Sequence, residues 1–221
     1  MLSEKYVENL FRSFTEKLDS IGFPIPAVGV IAAEDNAPYR ILVSTVISLR
    51  TQDRVTLEAS KRLLEAAPTV KELYPLSVEK IQNLIKPCGF YLRKGEQLKE
   101  IARIIVEDHN GVVPSERDSL MSLPGVGTKT ANLVLNLSFS RPAICVDCHV
   151  HEISTRLGWT EEKTPEETEK ALEKILPVRF WIEINELFVR YGQSICTPLS
   201  PKCSVCPHNA ECPKKGVEKT R

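Results

Sequence analysis

Between Leu120 and Asn136 a helical run is broken once, by Pro124-Gly125-Val126-Gly127. Proline cannot continue a helix, and glycine lets the backbone turn where a side chain would obstruct it. The stretch therefore predicts a short helix, a tight hairpin and a second apolar helix through Leu133, Val134 and Leu135. The amides that open a helix lack intrahelical acceptors, and the helix dipole favours an anion beside them. A nucleic-acid phosphate is a natural guest for such a turn, and Lys129 stands in the first turn beside it. The same letters also suit an ordinary helical corner with a solvated lysine, so the hairpin alone leaves the two readings open.

The chain around the hairpin has helical periodicity almost throughout. Tyr6, Leu10, Phe14 and Leu18 recur every four residues, the spacing of one helix face. Ile21 to Val30, with Pro24 and Pro26, is expected to be a linker. Asn36 is expected to cap an apolar, central helix with Pro38 in its first turn, and Asp53 to cap the next. Ser77 opens a short helix stopped by Pro87 and Gly89; a helix spans Gly95 to His109, and Ser115 caps the one leading into the hairpin. Further helices are expected from Asp147 to about Leu157, after Thr164-Pro165, and from Phe180 to Tyr191. No stretch alternates long enough for a strand and no repeat appears, so the fold class is all-α with about ten helices.

Charge limits the function classes. Lysines and arginines balance aspartates and glutamates to a net charge of zero, so nucleic-acid binding must rely on a local basic patch. The tail from Cys196 to Arg221 supplies one, with Lys202, Lys214, Lys215, Lys219 and Arg221 against Glu211 and Glu218. No run approaches the roughly 18 apolar residues of a membrane span, and the charged start Met1–Tyr6 lacks a signal-peptide core. A cytoplasmic location is expected, on the nucleoid in a bacterial or archaeal cell, with no membrane partner.

Cys196, Cys203, Cys206 and Cys212 fall in one short stretch, whereas Cys88, Cys145 and Cys148 are scattered and read as small buried residues. In a cytoplasmic chain a tight group of thiols points to metal rather than disulfides. Structural zinc commonly uses two close cysteine pairs or adds histidine; here one pair is close and wider gaps surround it. That spacing favours a 4Fe-4S cluster, with zinc (His208 as a possible ligand) and free structural cysteines as the alternatives.

Leu123-Pro124-Gly125-Val126-Gly127-Thr128-Lys129-Thr130-Ala131-Asn132, Val146-Asp147-Cys148-His149 and the spaced cysteines stand in order along the chain. With these motifs the chain resembles the endonuclease III family of DNA glycosylases over almost its whole length. The resemblance implies a helix-hairpin-helix fold with two helical lobes around a DNA cleft. Residues 31–141 would form a six-helix barrel lobe, and residues 1–30 with 142–221 the iron–sulfur lobe. It implies base excision repair of double-stranded DNA by a monomer: removal of oxidised pyrimidines, then cleavage 3′ of the abasic site. Lys129 matches the family's Schiff-base lysine, Asp147 its essential aspartate, and the four cysteines the cluster ligands. Gly125, Val126, Gly127, Thr128, Arg50, Phe90 and Lys202 are expected to contact DNA, and Asp53 and His149 to line the substrate pocket.

The chain departs from the family at four positions. Arg50 stands where a glutamine is usual, Phe90 where a leucine wedge is common, and Cys148 and Glu152 replace threonine and arginine. Arg50 keeps a uracil or thymine mismatch glycosylase as an alternative, and Glu152 is expected to bring negative charge near the cleft. A non-catalytic DNA-binding or redox-sensing protein on the same scaffold is the alternative from another class; paired Lys129 and Asp147 argue against it.

Overall fold

The computed structural model describes residues 1–221, and all regular structure in it is helical. In order the helices are α1 (Glu4–Ser20), α2 (Ala27–Glu34), α3 (Pro38–Ser48), α4 (Asp53–Ala66), α5 (Val70–Leu73) and α6 (Val78–Ile85). There follow α7 (Tyr91–Asp108), α8 (Arg117–Met121), α9 (Thr128–Phe139), α10 (Cys148–Arg156), α11 (Pro165–Ile175) and α12 (Glu183–Ser194). Short 3₁₀ turns lie at Val178–Phe180 and Cys203–Val205. No helix is long and apolar enough to cross a membrane.

The chain divides into a middle unit, Pro26–Arg141, and a terminal unit built from Met1–Ile25 and Pro142–Arg221. Each has its own apolar core. In the middle unit α3 is buried on every side from Ile41 to Ile47 and packs against α9, α2, α4 and α7. In the terminal unit α1 and α10 pack on α12, with Phe14 stacked on Tyr191 at 3.6 Å between ring centroids. Phe11 meets Phe180 edge-on at 5.0 Å, so aromatic contacts join the first helix to the last ones.

Several local expectations are corrected. The stretch expected to be a linker contains α2, which Pro26 opens as N-cap and in which Val28 and Ile31 are buried. Ala37 rather than Asn36 precedes α3, because the Asn36 amide is turned to the carbonyl of Leu137, 3.3 Å away. Gln52, not Asp53, caps α4, and Glu116, not Ser115, precedes α8. Helix α7 begins at Tyr91, a turn before Gly95, and α5 adds a turn closed by a capping box of Thr69 and Glu72. Ser77 caps α6 as expected, accepting from the Lys80 amide, and Thr164 with Glu167 forms the capping box of α11.

Candidate active site

The hairpin assigns its two glycines different tasks. Gly125 has φ +77°, and a Cβ there would lie 2.4 Å from the Gln97 side-chain amide, so this glycine makes the turn itself. Gly127 has an ordinary extended backbone and is the N-cap of α9; a Cβ there would meet no atom within 4 Å. Nothing inside the protein occupies the space that a side chain at 127 would fill. Thr128 and Lys129 form the first turn of α9, both part-exposed. Val126 departs from the expected DNA contact: its side chain is buried in the middle core and its amide donates to the Leu123 carbonyl at 3.1 Å. It anchors the hairpin from beneath.

This division gives a discriminating pair of variants. Gly127→Ala is expected to change stability by less than about 1 kcal/mol, lost unfolded-chain entropy offsetting poorer capping, while weakening duplex binding. Gly125→Ala is expected to lower the melting temperature, because a side chain is strained at its positive φ. Thermal melts and DNA titrations of both variants check this; equal DNA affinity for Gly127→Ala and wild type would contradict it.

Elsewhere in the middle unit, Arg50 and Phe90 come together. The Arg50 guanidinium carbon lies 5.7 Å from the centre of the Phe90 ring, and both side chains are exposed. Asp53 has a tie within the fold, its carboxylate accepting the Ala27 amide at 3.1 Å where α2 begins. That bond anchors α2 to the start of α4.

The terminal unit carries Asp147 and the four cysteines. Asp147 is the N-cap of α10: one carboxylate oxygen accepts the amides of His149 and Val150 at 2.9 and 3.0 Å. Cys148, expected buried, is exposed at the first position of that helix. His149 packs its ring on α12 at Gly192, where a Cβ would lie 2.4 Å from Nδ1. That contact fixes the ring of His149 against α12.

At its far end α10 grips the cysteine loop. Arg156 is buried and donates to the carbonyls of Cys196 and Thr197, to the Cys196 sulfur at 3.2 Å, and to the Pro198 carbonyl at 2.6 Å. It also pairs with Glu152 at 2.6 Å. The negative charge expected of Glu152 is thus paired with a buried guanidinium.

The four thiols line one small cavity of about 30 Å³, with Ile195, Pro201 and Val217 in its apolar wall. Burial pushes the Cys196 thiol up to about 11, Arg156 working against that shift. Tyr191 donates to the Cys206 sulfur at 3.2 Å. His208 is committed elsewhere: its Nε2 pairs with the Ser13 hydroxyl at 2.6 Å and its ring meets Phe14 edge-on. Four soft donors and two hydrogen-bond donors around one apolar-walled cavity fit a sulfur-rich cluster. Lys202 is exposed on this loop, and its amide is tied to the Ile195 carbonyl at 2.8 Å.

Sequence reasoning missed Lys94, Thr51, Arg62 and Arg156. Lys94 had a signal: it stands four residues before Leu98 on the face that Ile101 and Ile105 continue, so its position is a buried one.

Residues 43–178 match the model of the HhH-GPD superfamily of base excision DNA repair proteins. The endonuclease III of Thermotoga maritima is 49% identical over 173 residues, which cover 78% of this chain and 81% of that protein. A solved non-covalent endonuclease III–DNA complex superposes with a TM-score of 0.81 at 30% identity, covering 97% of both chains. A trapped endonuclease III–DNA covalent intermediate superposes with a TM-score of 0.78 at 29% identity, covering 94% of both. The chain belongs to the HhH-GPD superfamily of base excision DNA repair proteins, and within it to the endonuclease III family.

Proposed function

We propose that this DNA glycosylase/AP lyase removes oxidised pyrimidines from double-stranded DNA, with Lys129 as nucleophile and Asp147 as its carboxylate partner. The observation that carries the reading is the helix start at Gly127, open to a ligand, with Lys129 in its first turn. The trapped covalent endonuclease III–DNA intermediate among the structural relatives supports a mechanism that passes through a protein–DNA bond.

A damaged base in a duplex is out of reach, so its nucleotide rotates out of the stack. Amides at the start of α9 hold a backbone phosphate while Arg50 and Phe90 occupy the opened stack. Neutral Lys129 Nζ attacks C1′; the N-glycosidic bond breaks and its electron pair leaves with the base. Asp147 accepts the proton the amine loses and offsets positive charge on the sugar. Ring opening gives an iminium that acidifies the C2′ proton, and loss of that proton expels the 3′ phosphate. Cys196, Cys203, Cys206 and Cys212 would hold a 4Fe-4S cluster, which supplies a structural cross-link of the loop bearing Lys202.

Duplexes carrying an oxidised pyrimidine, uracil or thymine opposite guanine, or an abasic site, incubated with and without borohydride, test the reading. Excision and covalent trapping are expected on the oxidised pyrimidine; activity confined to the mismatches would overturn it. The exposed guanidinium of Arg50 favours that second reading, because arginine pairs in bidentate fashion with guanine. For the cluster, Cys203→Ser is expected to abolish sulfide-to-iron absorbance and lower the melting temperature by several degrees. Full iron and sulfide content in purified Cys203→Ser protein would refute the ligand assignment.

A further inference from the structure

Arg50 and Phe90 share an uncommon backbone state. Their φ angles are 52° and 57°, the left-handed region that side chains avoid. Phe90 is 61% exposed, so core packing does not hold it there. Both residues sit on loops, α3–α4 and α6–α7, whose restraints come from each other's following helices.

Lys94, in the first turn of α7, is buried to 4% exposure. Its ammonium donates to the carbonyls of Ile47 and Leu49 at 2.7 and 2.6 Å and to the Thr51 hydroxyl at 2.9 Å. All three donors thus close the loop that carries Arg50. In return, Arg62 of α4 donates to the carbonyls of Leu84 and Lys86 at 2.9 and 2.5 Å, fixing the loop that carries Phe90. Thr51 joins the two, its hydroxyl also accepting the Gly89 amide at 3.1 Å. The loops touch so closely that a Cβ at 89 would lie 2.4 Å from the Arg50 carbonyl oxygen. A buried ammonium on neutral acceptors alone is an expensive way to add stability. Its three bonds instead converge on the strained residue's loop, which points to positioning.

We propose that Lys94 is a positioning residue which, with Thr51 and Arg62, holds Arg50 and Phe90 in their left-handed conformations before DNA arrives. The proposal rests on the reading that this pair enters the opened stack. Preset loops present both side chains without ordering them at the moment the base leaves, so the competent fraction of free enzyme is high.

The test uses the whole enzyme with Lys94→Met, Thr51→Val and Thr51→Ser; Thr51→Val keeps two of the Lys94 bonds should Lys94→Met fold poorly. Backbone order parameters at Arg50, Gly89 and Phe90 report the clamp, and two substrates report its use. Lys94→Met and Thr51→Val are expected to lower order at those residues. Both should reduce kcat/KM about tenfold or more on a lesion stacked in duplex, while cleavage at a preformed abasic site stays within about twofold. Thr51→Ser, which keeps the hydroxyl, is expected to restore both readouts. Unchanged order parameters in both variants would overturn the clamp. Lowered order with wild-type excision of the stacked lesion would instead overturn the role of the Arg50–Phe90 pair in opening the stack.

Discussion

Lys129→Ala is expected to yield an enzyme that binds duplex DNA but forms no borohydride-stable adduct and leaves the strand uncut. The hairpin that holds the phosphate is built from Gly125, Val126 and Gly127, with Val126 buried in the middle core. Lys129 is part-exposed on a helix anchored by buried Thr130, Ala131, Asn132 and Val134, so the fold survives its truncation. Removing a nucleophile typically costs roughly 10⁴- to 10⁶-fold in turnover. Gel trapping of wild type and variant on one oxidised-pyrimidine duplex, with melting curves in parallel, measures this. An adduct of undiminished yield in Lys129→Ala would assign the nucleophile elsewhere.

Asp147 allows a cleaner separation of structure from chemistry. Its carboxylate caps α10 through the His149 and Val150 amides, and an asparagine side-chain oxygen can accept the same two bonds. Asp147→Asn is therefore expected to keep the melting temperature within a degree or two of wild type. Its excision rate should fall about 10²- to 10⁴-fold, because the amide cannot take a proton or balance charge on the sugar. Asp147→Ala loses both functions and should cost about 1 kcal/mol of stability besides. Chemical denaturation and single-turnover excision of the two variants decide the matter. Wild-type excision by Asp147→Asn would reduce the residue to a cap.

Much of this was legible in the chain because it rests on local chemistry. Pro124-Gly125 announces a turn, Ser77 and Thr164-Pro165 announce helix starts, and four close thiols announce a common cavity. Helix α2 was hidden because Pro24 and Pro26 read as breakers, although a proline also opens a helix. The parts out of reach depended on distant partners. Nothing beside Arg50 or Phe90 in sequence reports a left-handed backbone, which is set by Lys94 and Arg62 from other helices. The pairing of Glu152 was hidden because its partner Arg156 looks like any surface arginine until the cysteine loop folds over it.

That arginine links two inheritances. Its guanidinium is buried with its donors divided between a neighbouring acid and the loop that begins at Cys196. A descendant that discarded the cysteines would unfold that loop and strand a buried cation beside Glu152. Positions 156, 196, 203, 206 and 212 should therefore be gained and lost together across the family's history, and a lineage without the thiols should show an apolar residue where Arg156 stands here.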